Sequence, residues 1–187
     1  MSDNKFLKEY FDNFSNLIYS DTKIFKKIES LSKKLINIKK YNKKVLIFGN
    51  GGSAAIASHF SVDLTKNCKI RSTNYNESDL ITCFANDYGY ESWVSKAIEF
   101  YADKGDILIV ISSSGKSKNM INACKTARKK KLKSIITFSG FNINNPLSKL
   151  GDINFWVNSK TYNYVENLHQ LWLLATVDLI INKKIKK

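Results

Sequence analysis

The sequence predicts an α/β fold with three layers, in which a parallel sheet of about five strands is flanked by helices and preceded by an N-terminal helical hairpin. Three observations lead to this prediction. Apolar residues recur at helical spacing before residue 41, short apolar runs alternate with helical stretches from residue 44 onward, and two of those runs end in loops rich in glycine and serine. We therefore interpret the 187 residues as one domain, with the hairpin in residues 1–40 and an α/β core in residues 41–187.

The helical hairpin is predicted by two series of apolar residues spaced three and four apart, which places each series on one face of a helix. Asp21 and Thr22 separate the two series and are expected to form the turn between two amphipathic helices. The first series consists of Phe6, Leu7, Tyr10, Phe11, Phe14, Leu17 and Ile18, and the second of Ile24, Ile28, Leu31 and Leu35.

The core is predicted from short apolar runs that alternate with helical stretches. Strands of a parallel sheet appear as continuous apolar runs because both of their faces are covered. The predicted strands lie at residues 44–48, near 80–85, and at 106–111, 133–138 and 153–157. The predicted helices lie at residues 53–66, 90–102, 117–130 and 162–182.

The last predicted helix is apolar on nearly every side between Leu171 and Ile181. A helix of this kind has to be covered on several faces. The sheet and the hairpin of one chain are expected to cover only part of it, and helix packing between subunits the rest. We therefore expect a homo-oligomer, with a tetramer as its state.

Composition narrows the classes of function. The formal net charge of +14 attracts polyanions in general, but only Arg71 and Arg128 are arginines and no base-stacking or groove-reading motif accompanies the lysines, so nucleic acid is not expected as a partner. No apolar run is long enough to span a bilayer and the N-terminus lacks a secretory pattern, so we expect a cytoplasmic protein without membrane attachment. Cys68, Cys83 and Cys124 lack metal-ligand spacing and are expected to be reduced thiols.

Two strand-to-helix transitions carry loops suited to phosphate. The first is Gly49-Asn-Gly-Gly-Ser53 and the second is Ser112-Ser-Ser-Gly-Lys-Ser117. Glycine lets the backbone approach an anion, serine hydroxyls donate hydrogen bonds, and the N-terminus of the following helix adds N–H groups with partial positive charge. Neither loop has the spacing of a dinucleotide or Walker motif, so the pair indicates a small phosphorylated metabolite. The alternative for the serines is an ordinary N-cap and turn.

Four side chains on two predicted helices are candidates for acid/base chemistry. His59 and Asp63 are four residues apart, and Glu166 and His169 are three apart, so each pair shares a helix face. Both helices begin near the same edge of the sheet, so the four side chains are expected to converge as a proton-transfer set or a metal site. The alternative is a surface ion pair on the first helix and ordinary polar residues on the second.

Asp87 and Lys116 each have two interpretations. Asp87 follows an apolar run, so it is either the N-cap of the next helix or an acceptor for a sugar hydroxyl. Lys116 stands among the serines of the second loop, where it either adds positive charge to the phosphate site or points into solvent.

At these motifs the chain resembles the sedoheptulose 7-phosphate isomerases, also called phosphoheptose isomerases, within the SIS-domain proteins that bind sugar phosphates. The likeness covers nearly the whole chain, including the hairpin, both loops, His59 with Phe60, the segment 85–90 and the closing helix. The resemblance implies a homotetramer with active sites between subunits, and sugar contacts from Asn50 and Asp87. No organic cofactor is expected. The resemblance also implies that the sugar phosphate is held by Ser53, Ser112, Ser113, Ser114 and Ser117.

The family's catalytic positions match this chain less well. The general acid/base glutamate of the family falls on Asp63, its glutamine on the last helix falls on Glu166, and its catalytic histidine falls on Leu174, which cannot transfer a proton. Some family members bind zinc through this cluster, which implies His59, Asp63 and Glu166 as candidate zinc ligands. His169 lies within about a turn of the missing histidine and is the candidate to replace it.

The sequence supports one main hypothesis and two alternatives. The main hypothesis is an aldose–ketose isomerase that converts sedoheptulose 7-phosphate for the synthesis of surface-polysaccharide heptose, with Asp63, Glu166 and His169 as catalytic residues. The first alternative is a regulatory SIS protein that binds a sugar phosphate or a protein partner without catalysis. The second alternative is a different reaction on a sugar phosphate in which Glu166 and His169 form a new acid/base pair.

Overall fold

The computed structural model describes residues 2–19 and 21–185, so the outermost bounds of the predicted domain, residues 1 and 187, lie outside the described residues. Within these ranges the chain forms five strands and seven α-helices. The strands are β1 (Val45–Phe48), β2 (Ser72–Thr73), β3 (Ile107–Ser112), β4 (Ser134–Ser139) and β5 (Ile153–Trp156). The helices are α1 (Asp3–Ile18), α2 (Ile24–Lys40), α3 (Gly52–Lys66), α4 (Ser78–Tyr88), α5 (Trp93–Tyr101), α6 (Lys118–Lys129) and α7 (Tyr162–Ile185).

The five strands form one parallel sheet in the order β2-β1-β3-β4-β5. Every residue of β1, β3 and β4 is buried, which explains why these strands appear in the sequence as continuous apolar runs. The chain leaves β1 toward one side of the sheet and β3 toward the other, so the loops after these neighbouring strands diverge and leave a crevice at their carboxyl ends. The predicted α/β fold is confirmed, and both glycine- and serine-rich loops border this crevice.

The two faces of the sheet are covered by different helices. Alternate strand residues such as Ile47 and Ile109 face a core formed with α2, α3 and α7. Their neighbours Leu46 and Leu108 face a second core formed with α5 and α6. The alternation follows from the period of two in a β-strand, and it completes the three-layer arrangement.

The predicted strand near residues 80–85 is wrong, because this segment belongs to α4 and the second strand is the short β2. Leu80, Ile81 and Phe84 are spaced so that they fall on one face of a helix, and this face packs against the α5/α6 core. Asp79 in the first turn complements the helix dipole. Gly89, with φ of 82°, ends the helix. A short apolar run is compatible with a strand or with one face of a helix, and here packing against the α5/α6 core stabilises the helix.

The two helices of the N-terminal hairpin differ in how they pack. Six residues of α2 are buried, whereas α1 contains no buried residue. The start of α7 holds α1 in place: the Tyr164 hydroxyl donates a hydrogen bond to the Tyr10 carbonyl at 3.0 Å, and the two rings are 4.6 Å apart. Phe6 and Phe11 of α1 remain exposed, although the rings of both contact the Tyr10 ring.

The chain itself covers much of α7. Leu168, Leu173 and Ile180 are fully buried against the rest of the chain, while Leu171 is exposed and Leu174 is half-buried. The sequence argument for an oligomer therefore applies to a narrower stripe of this helix than expected. Within the ranges that the structure describes, none of the helices has the length and apolar character that crossing a membrane requires.

Candidate functional site

The first side of the candidate site is the turn between β1 and α3. Gly51 has a positive φ of 54°, which lets the chain reverse sharply before α3 begins at Gly52. A side chain at Gly52 would collide with the carboxylate of Glu166, so glycine at this position allows α7 to place its carboxylate against the start of α3. Ser53 follows in the first turn of α3 and is buried.

The second side of the site is the serine loop between β3 and α6. The hydroxyl oxygens of Ser112 and Ser117 are 2.8 Å apart and share a hydrogen bond. Ser114 Oγ accepts a hydrogen bond from the backbone N–H of Lys116 at 3.2 Å, and the Lys116 side chain is exposed. The loop therefore gathers hydroxyl groups around one concave space while Lys116 stays at its rim.

The two loops enclose a cavity of about 120 Å³. It brings together seven of the residues that the sequence analysis singled out, and Ile111 and Tyr162 complete the lining. Several neutral donors around a small cavity next to two helix N-termini form an environment suited to an anion such as phosphate. The seven residues are Asn50, Ser53, Ser112, Ser113, Ser114, Ser117 and Glu166.

Glu166 stands at the junction of this cavity and a larger groove. Its Oε1 accepts a hydrogen bond from Ser113 Oγ at 3.4 Å inside the cavity. The same residue lines a groove of about 360 Å³ together with His59 and Gln170. A ligand whose phosphate occupies the serine-lined cavity would therefore extend past the Glu166 carboxylate into the groove.

His59 and Asp63 remain together on α3, as their spacing predicts. The His59 Nε2 and Asp63 Oδ2 atoms are 3.5 Å apart, and the side chain of His59 is half exposed. On its other side His59 Nδ1 lies 3.3 Å from Gln170 Nε2, which can only donate, so Nδ1 is the acceptor and Nε2 carries the proton. Asp63 itself lines neither the cavity nor the groove, and it also accepts a hydrogen bond from Asn67.

His169 lies apart from the other three candidates. Its side chain is fully buried, and its Nε2 atom is 3.1 Å from the carbonyl oxygen of Ser139 at the end of β4. Burial lowers the pKa of His169 to about 4. The expected convergence of all four side chains is therefore wrong for this histidine. The three-residue offset from Glu166 rotates it by about 60° around α7, away from the cavity and into the core.

The candidate zinc ligands His59, Asp63 and Glu166 do not form a cluster within one chain. Over residues 2–19 and 21–185, no group of three or more His, Cys, Asp and Glu side chains is arranged to hold a metal ion. The Glu166 carboxylate is directed to Ser113, whereas Asp63 is engaged by His59 and Asn67. The donor set of a single chain therefore does not fit a zinc ion.

Asp87 lies in the last turn of α4, so the interpretation of this residue as the N-cap of the next helix is wrong. It is exposed, and its carboxylate accepts a hydrogen bond from Asn86 at 3.0 Å. Asp87 does not line the serine cavity or the groove of the described chain. Leu174, to which the resemblance assigns the position of a catalytic histidine, is half-buried on α7 and also lines neither space.

Sequence reasoning missed four residues that contribute to the site: Tyr90, Asn119, Tyr162 and Gln170. Gln170 follows Glu166 by four residues, so helical spacing could have identified it. Asn119 comes two residues after the last serine of the loop, and Asn50 and Asn119 form a reciprocal pair of amide hydrogen bonds. No sequence pattern could place Tyr90, whose hydroxyl bonds to Asn50 across the fold.

Comparison with known proteins gives matches along the whole chain. The sequence profile of the SIS domain matches residues 9–139. The phosphoheptose isomerase of Aliarcobacter butzleri is 35% identical over 83% of this chain and 85% of its own length, and that of Buchnera aphidicola is 32% identical over 98% of both. The solved structure of a phosphoheptose isomerase from Francisella tularensis has a TM-score of 0.89 and 25% identity, covering 98% of this chain and 100% of that one.

The regions that match known relatives include the two loops and the helix that form the candidate site. The SIS profile spans both loops that enclose the cavity, and the Buchnera relative extends the match through α7, which carries Glu166. The chain belongs to the phosphoheptose isomerase family of SIS-domain proteins.

Proposed function

We propose that this protein isomerises sedoheptulose 7-phosphate to an aldoheptose 7-phosphate. The observation that carries the proposal is the position of Glu166, whose carboxylate lies between the serine-lined cavity and the adjoining groove. A phosphate in the cavity would extend the sugar chain past a group able to take and return a proton. The family relation supplies the substrate, and the geometry supports the roles of the residues.

The proposed reaction moves one proton between adjacent carbons. Glu166 removes a proton from C1, the C–H electron pair forms the C1–C2 double bond, and the ketone oxygen becomes the oxyanion of an enediolate. Glu166 then returns the proton to C2, while the C1 hydroxyl becomes the aldehyde oxygen and its proton is carried to the C2 oxyanion, which becomes a hydroxyl. Atoms and electrons balance without an oxidant or reductant.

The oxygen atoms need a second proton carrier, and we assign this role to His59. It lines the same groove as Glu166, and its Nε2–H faces Asp63 while Nδ1 faces Gln170. Imidazole exchanges protons near neutral pH. In this assignment Asp63 orients His59 and does not touch the substrate. His169 takes no part, because it is buried and separated from both spaces.

We also propose that the protein works as a homotetramer in the cytoplasm. Exposed aromatic residues along α1, including Phe6 and Phe11, and the exposed Leu171 on α7 support subunit contacts. The compartment and the role in surface-polysaccharide heptose synthesis rest on the family relation. Light scattering at micromolar concentration should give the mass of four chains, and the mass of one chain would contradict this proposal.

A regulatory protein that binds sugar phosphates without catalysis is the second candidate. One observation favours it: α7 offers no accessible imidazole, because Leu174 occupies the family position and His169 is buried. The same burial leaves the altered reaction that would use Glu166 with His169 without support.

The experiment that separates isomerase from regulator is a direct assay with sedoheptulose 7-phosphate, with and without added zinc, alongside calorimetry with the same compound. Binding with turnover supports the isomerase, and binding without turnover under either condition supports the regulator. A rate that appears only with zinc would show that an assembled oligomer completes a metal site that one chain does not form.

A further inference from the structure

The side-chain amide of Asn50 is held by two residues from other parts of the fold. Its Oδ1 atom accepts hydrogen bonds from Asn119 Nδ2 at 2.9 Å and from the Tyr90 hydroxyl at 3.1 Å. Its Nδ2 atom donates to Asn119 Oδ1 at 3.1 Å. Three elements therefore meet at this amide: the β1–α3 loop, the first turn of α6, and the loop between α4 and α5.

The orientation of this network is anchored by the backbone. Asn119 is 2% exposed, and its Oδ1 atom accepts a hydrogen bond from the backbone N–H of Met120 at 3.1 Å. A backbone N–H can only donate, so it fixes which side of the Asn119 amide is the acceptor. The opposite side, Nδ2, then donates to Asn50, and the Asn50 amide can face Asn119 in only one way.

This arrangement leaves Asn50 with one kind of group to offer a ligand. Both lone pairs of Oδ1 are occupied by Asn119 and Tyr90. One N–H of Nδ2 is occupied by Asn119, and within residues 2–19 and 21–185 the other has no protein partner. Asn50 lines the serine cavity and also a neighbouring cavity of about 210 Å³ that Tyr90 lines.

We propose that Asn119, assisted by Tyr90, is a positioning residue that fixes Asn50 as a hydrogen-bond donor to an oxygen of the sugar part of the ligand. The inference rests on the proposed function for the identity of that ligand. An unrestrained asparagine can rotate and offer either an acceptor or a donor. A restrained one selects ligands that present an acceptor oxygen at this point, and it places a donor where a carbonyl or enediolate oxygen is stabilised.

The test compares two ligands in calorimetry: inorganic phosphate, which reports on the serine loop, and sedoheptulose 7-phosphate, which also reports on the sugar contact. Asn119→Ala should lower the affinity for sedoheptulose 7-phosphate about fivefold to tenfold, because one oriented hydrogen bond to the sugar is lost. The affinity for inorganic phosphate should change less than about twofold. Tyr90→Phe should have a smaller effect in the same direction. The matched control is Asn122→Ala on the same helix, whose amide bonds to the Glu91 carbonyl, and it should change neither affinity.

A second measurement does not depend on the sugar. In the wild-type protein the two side-chain N–H protons of Asn50 should exchange with solvent at rates that differ by at least about tenfold, because one is bound to Asn119. In Asn119→Ala the two rates should become similar. The exchange measurement tests the restraint on Asn50 even if the wild-type protein does not bind sedoheptulose 7-phosphate. Absence of that binding would contradict the proposed function and not this inference.

Three results would overturn the inference. Equal loss of affinity for both ligands would make Asn119 a structural residue of the serine loop. Unchanged affinity for both would show that the orientation of Asn50 is immaterial. Similar exchange of the two Asn50 protons in the wild-type protein would show that the amide is not restrained.

Discussion

The two histidines of the chain have acidic neighbours at similar helical spacing, yet they lie in opposite environments. His59 on α3 is half exposed, close to Asp63 and Gln170, and borders the groove. His169 on α7 is fully buried beside a backbone carbonyl, while its partner Glu166 remains at the cavity. Sequence spacing shows which residues share a helix face. How the helix packs determines whether each of those residues is exposed to solvent or buried in the core.

The largest effect is expected for Glu166→Gln, which tests whether the acidic neighbour of the buried histidine takes part in the reaction. The substitution keeps the size and hydrogen bonding of the side chain but removes the titratable group, so turnover of sedoheptulose 7-phosphate should fall about a hundredfold or more. Calorimetry should show that inorganic phosphate still binds, at least as tightly as to wild type, because the serines remain and a negative charge that lines the cavity is removed. The control is Glu99→Gln, which removes a carboxylate paired with Lys96 on the surface. Equal turnover in Glu166→Gln and wild type would remove Glu166 from the chemistry.

The buried histidine should reveal itself in the pH dependence of stability. Its folded pKa of about 4 lies below the ordinary value of 6.5, so the unfolded state takes up the proton first as pH falls. The free energy of unfolding should therefore be unaffected by this group above pH 6.5 and should decrease by about 3 kcal/mol by pH 4.

Denaturant unfolding of His169→Leu across this pH range checks the prediction. The Ser139 carbonyl still accepts a hydrogen bond from the Val157 N–H, so the variant has no orphaned acceptor and should fold. Its stability should be flatter between pH 6.5 and 4 than that of wild type. A variant with the wild-type slope would contradict the burial argument.

Leu174→His would sharpen the comparison by giving α7 an imidazole at the family position. The contacts His59–Gln170 and Cys68–Val177 show that α3 and α7 run parallel, which places residue 174 at the level of Asp63. The new imidazole should raise zinc affinity about tenfold or more by completing a set with His59 and Asp63. Calorimetry with zinc checks this, and the gain should disappear when His59→Ala is combined with it.

The smallest expected effect is that of Asp63→Asn. If Asp63 orients His59 rather than touching substrate, turnover should fall only about fivefold, since the amide still fits beside the imidazole. Steady-state kinetics should show the loss in kcat with little change in KM. A loss as large as that of Glu166→Gln would instead make Asp63 a catalytic residue.

The parts of the fold that the sequence predicted share a strong local signal. The apolar runs of β1 and β3 and the glycines and serines that follow them are sufficient to place both loops at one edge of the sheet. Residues 80–85 lacked such a signal, since Leu80, Ile81 and Phe84 suit a strand and a helix face alike.

The sequence predicted those site residues whose position follows from the local backbone, on a loop after a strand or on one face of a helix. Hydroxyl groups on a loop after a buried strand can be placed from the sequence, and so can the His59–Asp63 pair. The burial of His169 depends on how α7 lies against β4, and the Asn50–Asn119 bond joins residues that are 69 positions apart. Such long-range placements are consequences of the assembled core.

The hydrogen bond from Tyr164 to Tyr10 links α1 to the helix that carries Glu166. Tyr164 lies two residues before Glu166 on α7, so the N-terminal helix is attached beside the segment that carries the carboxylate of the proposed reaction. In an enzyme whose subunits meet through α1, dilution would release this helix and loosen that segment together. Specific activity should then rise with enzyme concentration and reach a plateau where assembly is complete. The turnover number would therefore report the fraction of chains that are assembled.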